Sequence, residues 1–213
     1  MAGSGPITPL EIEIKLRVID IPALLRCLNR IGAVSRGRVF EQNTLYDTPE
    51  GAFRRSGCLL RIRTETPAAA RGLAAGRVGA VLTFKAPPTP QPSGRSRSHR
   101  PRYKERLETE VRVGAYASWP RILRSIGLQP AFRYEKFRSS FRLGQLHLDL
   151  DETPAGDFLE LEGSPRLIDR TAGALGYTPH DYFTGTYWDL YVADCRRRGL
   201  SPKNMVFRGQ KSA

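Results

Sequence analysis

The sequence has few cysteines and no long apolar run. Its three cysteines, Cys27, Cys58 and Cys195, are far apart and lack the paired spacing of a metal site. An odd number of distant thiols argues against a disulfide framework and favours a reducing cytosol, so we expect a cytoplasmic protein. No stretch approaches the roughly 18 apolar residues of a membrane helix, and residues 1–9 do not read as a signal peptide. We therefore expect no membrane partner.

Acidic residues are scarce relative to basic ones. The chain has 34 Lys and Arg against 21 Asp and Glu, a net charge of +13, which calls for an anionic partner or a basic appendage. Part of the excess lies in one loop, in Arg95, Arg97, Arg100 and Arg102. Because residues 86–101 are rich in Pro and Ser and have no apolar pattern, we predict them to be disordered. A nucleic-acid partner would contact this loop through charge alone and is not favoured.

Most of the chain alternates apolar and charged residues with period two, which is typical of strands. Strands are predicted at 10–18, 37–46, 57–65, 79–85, 103–113, 132–142, 145–151 and 157–162, and helices at 21–31, 116–127, 165–175 and 186–198. Residues 66–78 are predicted to form a hairpin loop. This pattern indicates one α+β domain over residues 10–198, with flexible tails at 1–9 and 199–213.

The charged faces of these strands carry like charges two residues apart. The carboxylate pairs are Glu11/Glu13, Glu108/Glu110, Asp149/Asp151 and Glu160/Glu162, and cations cluster on other strands as Arg61/Arg63 and Lys136/Arg138. A solvated sheet face is one interpretation. However, a hard divalent cation neutralises several carboxylates through oxygen ligands, and a row of Arg and Lys suits a polyphosphate.

A closed barrel would turn these charges inward and leave an apolar outer face for the helices to cover. To that outer face we assign, among others, Leu59, Ile62, Leu82 and Phe84.

A series of elements, in order, resembles the signatures of the CYTH superfamily, also called triphosphate tunnel metalloenzymes. The elements are Glu11-x-Glu13-x-Lys15, Thr44-Leu45-Tyr46-Asp47-Thr48, Leu60-Arg61-Ile62-Arg63, Thr83-Phe84-Lys85, Arg106-x-Glu108-x-Glu110, Lys136-x-Arg138, and Leu150-Asp151-Glu152 followed by Phe158-Leu159-Glu160-Leu161-Glu162. The resemblance covers about residues 10–198. It implies an eight-stranded antiparallel β-barrel, flanked by helices, with a metal-bound triphosphate in its charged lumen.

The resemblance also implies roles for individual residues. Ligands of Mg²⁺ or Mn²⁺ would be Glu11, Glu13, Glu160 and Glu162. Phosphate oxygens would be bound by Lys15, Arg61, Arg63, Lys85, Arg106, Lys136 and Arg138. The catalytic candidates are Lys15, Glu108, Glu110 and Asp151. We expect His147 to make a structural hydrogen bond. We expect Tyr187 and Trp188 to be packing residues of the predicted C-terminal helix.

The resemblance leaves the reaction open, because members of this superfamily include thiamine triphosphatases, inorganic tripolyphosphatases, RNA triphosphatases and class IV adenylyl cyclases. We favour metal-dependent hydrolysis of a nucleoside, thiamine or inorganic triphosphate, because hydrolysis needs only the tunnel. One alternative is a class IV adenylyl cyclase, which forms cyclic AMP and pyrophosphate from ATP and needs an adenine pocket. Another is a non-catalytic protein that binds polyphosphate or RNA. A monomer or a homodimer is expected.

Overall fold

Eight antiparallel strands close into a barrel in the computed structural model, which describes residues 10–68, 79–88, 101–114 and 116–207. The strands are β1 (Leu10–Val18), β2 (Val34–Asp47), β3 (Leu59–Pro67), β4 (Gly79–Ala86), β5 (Lys104–Val113), β6 (Gln129–Leu143), β7 (Leu146–Thr153) and β8 (Gly156–Glu162). Their order around the barrel is β1-β5-β4-β3-β2-β6-β7-β8, and β8 pairs with β1. The predicted fold class is therefore confirmed.

Five α-helices flank the barrel in the described ranges: α1 (Ile21–Arg30), α2 (Ala52–Arg55), α3 (Trp119–Ser125), α4 (Pro165–Ala174) and α5 (Tyr187–Arg197). The sequence predicted all but α2, which is a single turn and too short to show a helical period. It overestimated α3, because residues Tyr116–Ser118 form a 3₁₀ turn and Gly127 takes a positive φ of 87°. Within the same ranges no helix has both the length and the apolar character needed to cross a membrane.

The period-two alternation places apolar side chains on the outside of the barrel wall. On β1, Ile14 and Leu16 are fully buried and belong to a core with Leu24 and Leu28 of α1 and Ile168 of α4. Burying this apolar surface between wall and helices contributes about 25 cal/mol per Å². This part of the hydrophobic core therefore lies outside the barrel wall, and the barrel interior is lined mainly by polar side chains.

Leu59 departs from the predicted assignment to the outer face. It lies two residues before Arg61 on the same strand, so the pleat directs both side chains to the interior, and both line the central cavity. Leu60 and Ile62 are the β3 residues that pack outward, against a cluster that includes Leu123 of α3.

Asp47, in the element Thr44–Thr48, builds the turn after β2. Its buried carboxylate accepts hydrogen bonds from the backbone N–H groups of Thr48 at 2.8 Å, Phe53 at 2.8 Å and Arg54 at 3.0 Å. These bonds satisfy backbone N–H groups at the start of α2, because such groups have no acceptor within the helix. The element therefore shapes one end of the barrel.

Replacing Asp47 with Ala should lower the free energy of unfolding by about 2 kcal/mol, because three partly buried N–H groups lose their acceptor. Urea unfolding measures the change. Asp20→Ala is the matched control, since Asp20 caps α1 through one bond to Ala23 N–H and should cost about 1 kcal/mol. A loss at Asp47 no larger than that at Asp20 would contradict the capping role.

The residues after α5 pack against the barrel, although the sequence predicted a flexible tail from residue 199. Met205 is fully buried; its N–H donates to the Arg133 carbonyl and its carbonyl accepts from Glu135 N–H, both at 2.9 Å. Apolar packing explains why this segment is held, since Met205 belongs to a hydrophobic cluster with Phe132 and Tyr187. The rest of that tail (208–213), residues 1–9, and residues 69–78 and 89–100 of the two predicted loops lie outside the described residues.

Candidate functional site

The barrel encloses a cavity of about 350 Å³ with a largely charged wall. All but two of the predicted site residues line it, namely Glu11, Glu13, Lys15, Arg61, Arg63, Lys85, Glu108, Glu110, Lys136, Arg138, Glu160 and Glu162. They come from six different strands, so only closure of the barrel brings them together. These side chains converge in one space and are not spread over an open sheet.

The two other predicted residues, Asp151 and Arg106, lie beside the cavity. Asp151 is fully buried behind its wall and accepts hydrogen bonds from Lys136 at 2.7 Å and Arg138 at 2.6 Å. Arg106 lines a second cavity of about 710 Å³ next to the tunnel, which we call the vestibule. Asp151 therefore contacts Lys136 and Arg138, which face the tunnel. Arg106 lies in the vestibule, next to the tunnel.

Glu13 links two lysines at the β1 side of the tunnel. Its Oε1 lies 2.9 Å from Lys15 Nζ and 2.7 Å from Lys104 Nζ, and Lys15 also pairs with Glu160 at 3.0 Å. Burial alone would raise the pKa of Glu13, but Lys15 and Lys104 hold it well below its ordinary value. Glu13 is therefore ionised and its charge is already compensated.

Arg138, on β6, is the centre of a second network, which shares Glu160 with the first. Its guanidinium pairs with Asp149 at 2.7 Å, Asp151 at 2.6 Å and Glu160 at 2.6 Å. Glu41 lies 3.6 Å away; burial would raise its pKa, but Lys136 and Arg138 lower it to about 2. Pairing of this kind is what allows several charges to stay buried together.

Arg61 and Arg63 have donors that the protein does not use. Arg61 is buried, its contacts with Tyr134 and Thr83 are long at 3.3 Å each, and its Nε has no hydrogen-bond partner. Arg63 Nε lies 2.8 Å from Glu65 Oε1 as an ion pair, but the angle is unsuitable for a hydrogen bond. An unsatisfied buried donor is costly, so an oxygen-rich anion entering here would be stabilised.

Glu108 can change its charge near neutral pH. Burial raises its pKa to about 7, although Lys85, at 3.2 Å, opposes the shift. Lys85 pairs more closely with Glu11, at 2.6 Å. Glu108 is therefore the tunnel carboxylate best suited to accept or release a proton at physiological pH.

Glu11, Glu13 and Glu162 are the residues to test for a fit to a divalent ion. Glu162 is the cross-strand partner of Glu13 and makes no ion pair with a described residue; burial and then the neighbouring Glu11 raise its pKa. In the described part of the chain no three His, Cys, Asp or Glu side chains form a ready-made metal site. Lysines instead pair with two of these carboxylates, Glu11 and Glu13. The donors are hard carboxylate oxygens, so their chemistry fits Mg²⁺ or Mn²⁺.

Several residues that contact the network were not among the predicted site residues. Lys104 is two residues before Arg106 on the same face of β5, so extending the alternation would have found it. Glu41 has Asn43 and Leu45 as its neighbours on the lumen face of β2, so no charge pattern marks it. His147 makes the expected hydrogen bond, Nε2 to Asp149 Oδ1 at 3.0 Å, and also lines the cavity.

The sequence matches the family model described as CYTH domain over residues 9–171, most of the chain. The chain belongs to the CYTH domain family. No curated protein sequence matches it. The tunnel described above is thus the interior of a CYTH domain.

Solved structures share this fold. A candidate adenylate cyclase from Vibrio parahaemolyticus superposes with a TM-score of 0.67 at 19% identity, covering 85% of this chain and 97% of that chain. A protein from Pyrococcus horikoshii gives a TM-score of 0.65 at 23% identity, covering 84% and 98%. A candidate adenylyl cyclase from Hippeastrum, described as having a dominant triphosphatase activity, gives 0.55 at 18% identity, covering 90% and 97%. At these identities the similarity shows the fold alone.

Proposed function

We propose that this CYTH protein is a metal-dependent enzyme that hydrolyses a triphosphate held in the tunnel. The observation that carries the proposal is the closed barrel, which gathers Arg and Lys side chains from several strands around one cavity. The volume of that cavity, about 350 Å³, is within the range of small-molecule sites. A polyphosphate is the anion that can contact cations on all sides of such a tunnel at once.

The basic residues would supply most of the catalysis. Phosphoryl transfer depends mainly on positioning and on electrostatic stabilisation of phosphate oxygens. Arg61 and Arg63 have unused donors, and their planar guanidinium groups can each bind a phosphate through two parallel hydrogen bonds. Lys15, Lys85 and Lys136 would exchange part of their pairing with carboxylates for phosphate oxygens.

Glu11, Glu13, Glu160 and Glu162 would hold the Mg²⁺ or Mn²⁺. A divalent ion bound there would neutralise charge on the phosphate oxygens and, as a Lewis acid at those oxygens, make the phosphorus more electrophilic. The lysines that now pair with Glu11 and Glu13 would then be released toward the phosphates. Glu108 would accept a proton from the attacking water, with Lys85 as its neighbour.

The vestibule makes a class IV adenylyl cyclase the second candidate. It shares four apolar residues with the tunnel, Leu45, Leu59, Phe132 and Trp188, beside Lys85, Lys104 and Thr186, so part of the wall where the two cavities meet is apolar. A nucleobase attached to a triphosphate in the tunnel would find both volume and flat aromatic surface there. This surface would serve ATP in either reaction.

The products separate the candidates. We would incubate the protein with tripolyphosphate, ATP and thiamine triphosphate, with Mg²⁺ or Mn²⁺, and resolve inorganic phosphate, pyrophosphate and cyclic AMP. Hydrolysis predicts inorganic phosphate from at least one substrate. Cyclic AMP with pyrophosphate would assign the cyclase reaction. No turnover of any substrate, with salt-sensitive binding to every polyanion, would identify a non-catalytic protein.

The pH dependence of kcat/KM tests Glu108 as the base. Because the carboxylate must be ionised to accept a proton, kcat/KM should fall about tenfold per pH unit below a pKa of about 7. Glu108→Gln should lower kcat/KM and remove this limb. Glu105→Gln is the matched control, since Glu105 is an exposed residue of the same strand and should leave the profile unchanged. A limb that persists in Glu108→Gln would assign it to another group.

A further inference from the structure

One side chain reaches the tunnel from a helix instead of a strand. Tyr187 is the first residue of α5; it is buried, and it lines the cavity among the barrel residues. Its hydroxyl donates a hydrogen bond to Asp151 Oδ2 at 2.5 Å. Asp151 in turn accepts hydrogen bonds from Lys136 and Arg138, both of which are predicted to bind phosphate. Tyr187 therefore belongs to the same hydrogen-bond network.

The ring of Tyr187 contacts two ammonium groups. Lys136 Nζ lies 4.8 Å and Lys15 Nζ 5.4 Å from its centroid. An aromatic face attracts a cation, and more strongly where water is excluded. Lys15 and Lys136 are both almost fully buried, although a lysine side chain is otherwise flexible. One ring therefore restricts where both charges can lie.

Other aromatic residues hold this ring and extend its reach. Tyr134 stacks on it, with ring centroids 5.6 Å apart and planes 26° apart, and Phe158 packs edge-on at 6.2 Å. The hydroxyl of Tyr134 accepts a hydrogen bond from Arg61 at 3.3 Å. The two tyrosines thus contact Lys15, Lys136 and Arg61.

The segment before Tyr187 is fixed to one of the same residues. Phe183 exchanges two backbone hydrogen bonds with Lys15, each 2.9 Å long. Thr186 and Asp189 form a capping box that sets the first turn of α5. Tyr182 donates a hydrogen bond to Asp169 of α4 at 3.0 Å. The backbone that leads to Tyr187 is therefore attached to both β1 and α4.

We propose that Tyr187 is a positioning residue of the tunnel, whose ring and hydroxyl hold Lys15, Lys136 and Asp151 in the arrangement that a triphosphate meets. This inference rests on the proposed function. Tyr187 acts through the lysines: without its ring, the ammonium groups must be ordered when the anion binds, and that ordering weakens affinity.

The test compares Tyr187→Leu and Tyr187→Phe with a control on the same helix, Tyr191→Leu. Tyr191 stacks on Phe132 at 5.9 Å and its hydroxyl bonds to the Asn204 carbonyl, but it contacts neither lysine. We would measure the Kd for tripolyphosphate with Mg²⁺ by calorimetry, the melting temperature, and the proton shifts of the lysine ε-methylene groups in the ligand-free protein.

Tyr187→Leu should weaken tripolyphosphate binding at least about tenfold and move the ε-methylene resonances of Lys15 and Lys136 downfield, because a ring face shields nearby protons. Tyr187→Phe keeps the ring and should restore most of the affinity. Tyr191→Leu should bind within about twofold of the parent even where its melting temperature falls equally.

Two results would overturn the proposal in distinguishable ways. Equal affinity of Tyr187→Leu and Tyr191→Leu, with the lysine shifts changed only in the former, would show that the ring orders the lysines without serving binding. No binding of any triphosphate by the parent protein would instead remove the proposed function, and the positioning role with it, while the lysine shifts in the parent still reported the ring contact.

Discussion

Replacing Glu162 with Gln should lower turnover of a triphosphate by at least about 100-fold and raise the Mg²⁺ concentration needed for half-maximal rate. Gln keeps the size of the side chain and removes its charge, so the divalent ion loses an anionic ligand. Glu162 is the sharper choice than Glu13, because it makes no ion pair with a described residue, whereas Glu13→Gln also breaks contacts with Lys15 and Lys104. Steady-state kinetics over a Mg²⁺ titration measures both effects.

Three comparisons make the metal experiment decisive. Glu105→Gln removes a carboxylate from an exposed position and should leave turnover and Mg²⁺ dependence unchanged. Glu13→Gln should lose at least as much turnover as Glu162→Gln. Parent turnover that is equal in excess EDTA and in Mg²⁺ would show that the ion has no part in the reaction.

Replacing Arg63 with Lys should lower kcat/KM about 30- to 1000-fold, which corresponds to about 2–4 kcal/mol. Lys keeps the charge, but it cannot bind a phosphate through two parallel hydrogen bonds. Arg63 suits this test because its contact with Glu110 is long, at 3.8 Å, and Lys keeps the positive charge that pairs with Glu65 at 2.8 Å. The same substitution at Arg61 should have an effect of similar size.

The matched comparison is the basic loop. Changing Arg95, Arg97 and Arg100 together to Ser should alter kcat/KM less than about tenfold and mainly weaken salt-sensitive binding to long polyanions. Arg102 is left intact, because it pairs with Asp169 at 2.8 Å and its removal would disturb α4. A larger loss in the loop variant than in Arg63→Lys would make the loop part of the catalytic site.

The alternation of charge carried most of the fold prediction. On β1 the alternation of Glu11, Glu13 and Lys15 with apolar residues was enough to predict a strand with one polar face, and the same reasoning located the other strands. The predicted ends of strands were less accurate where the alternation of apolar and charged residues is weak. β2 begins at Val34, three residues before the predicted start, because Gly37 interrupts the alternation and the pairing with β6 shifts register there.

The parts of the site that were missed depend on contacts between distant segments. Tyr187 comes from a helix, and no period-two pattern can show that its ring contacts both Lys15 and Lys136. Arg102 was grouped with the arginines of the basic loop, directly after the predicted disordered segment, yet it pairs with Asp169, far along the chain. The burial of Asp151 behind the cavity wall likewise follows from its hydrogen bonds with Lys136, Arg138 and Tyr187, which the sequence does not reveal.

The order of the strands has a consequence for synthesis of the chain. β1 has β5 and β8 as its neighbours, so the first strand to leave the ribosome is fully paired only after the last one has followed. Until then the charged faces remain hydrated, and closing so long a loop is slow. Dehydration of the carboxylates and their pairing with lysine and arginine must occur in the same closing step. We therefore expect substitutions that leave an interior charge without its partner to slow closure of the barrel more than substitutions on its outer face.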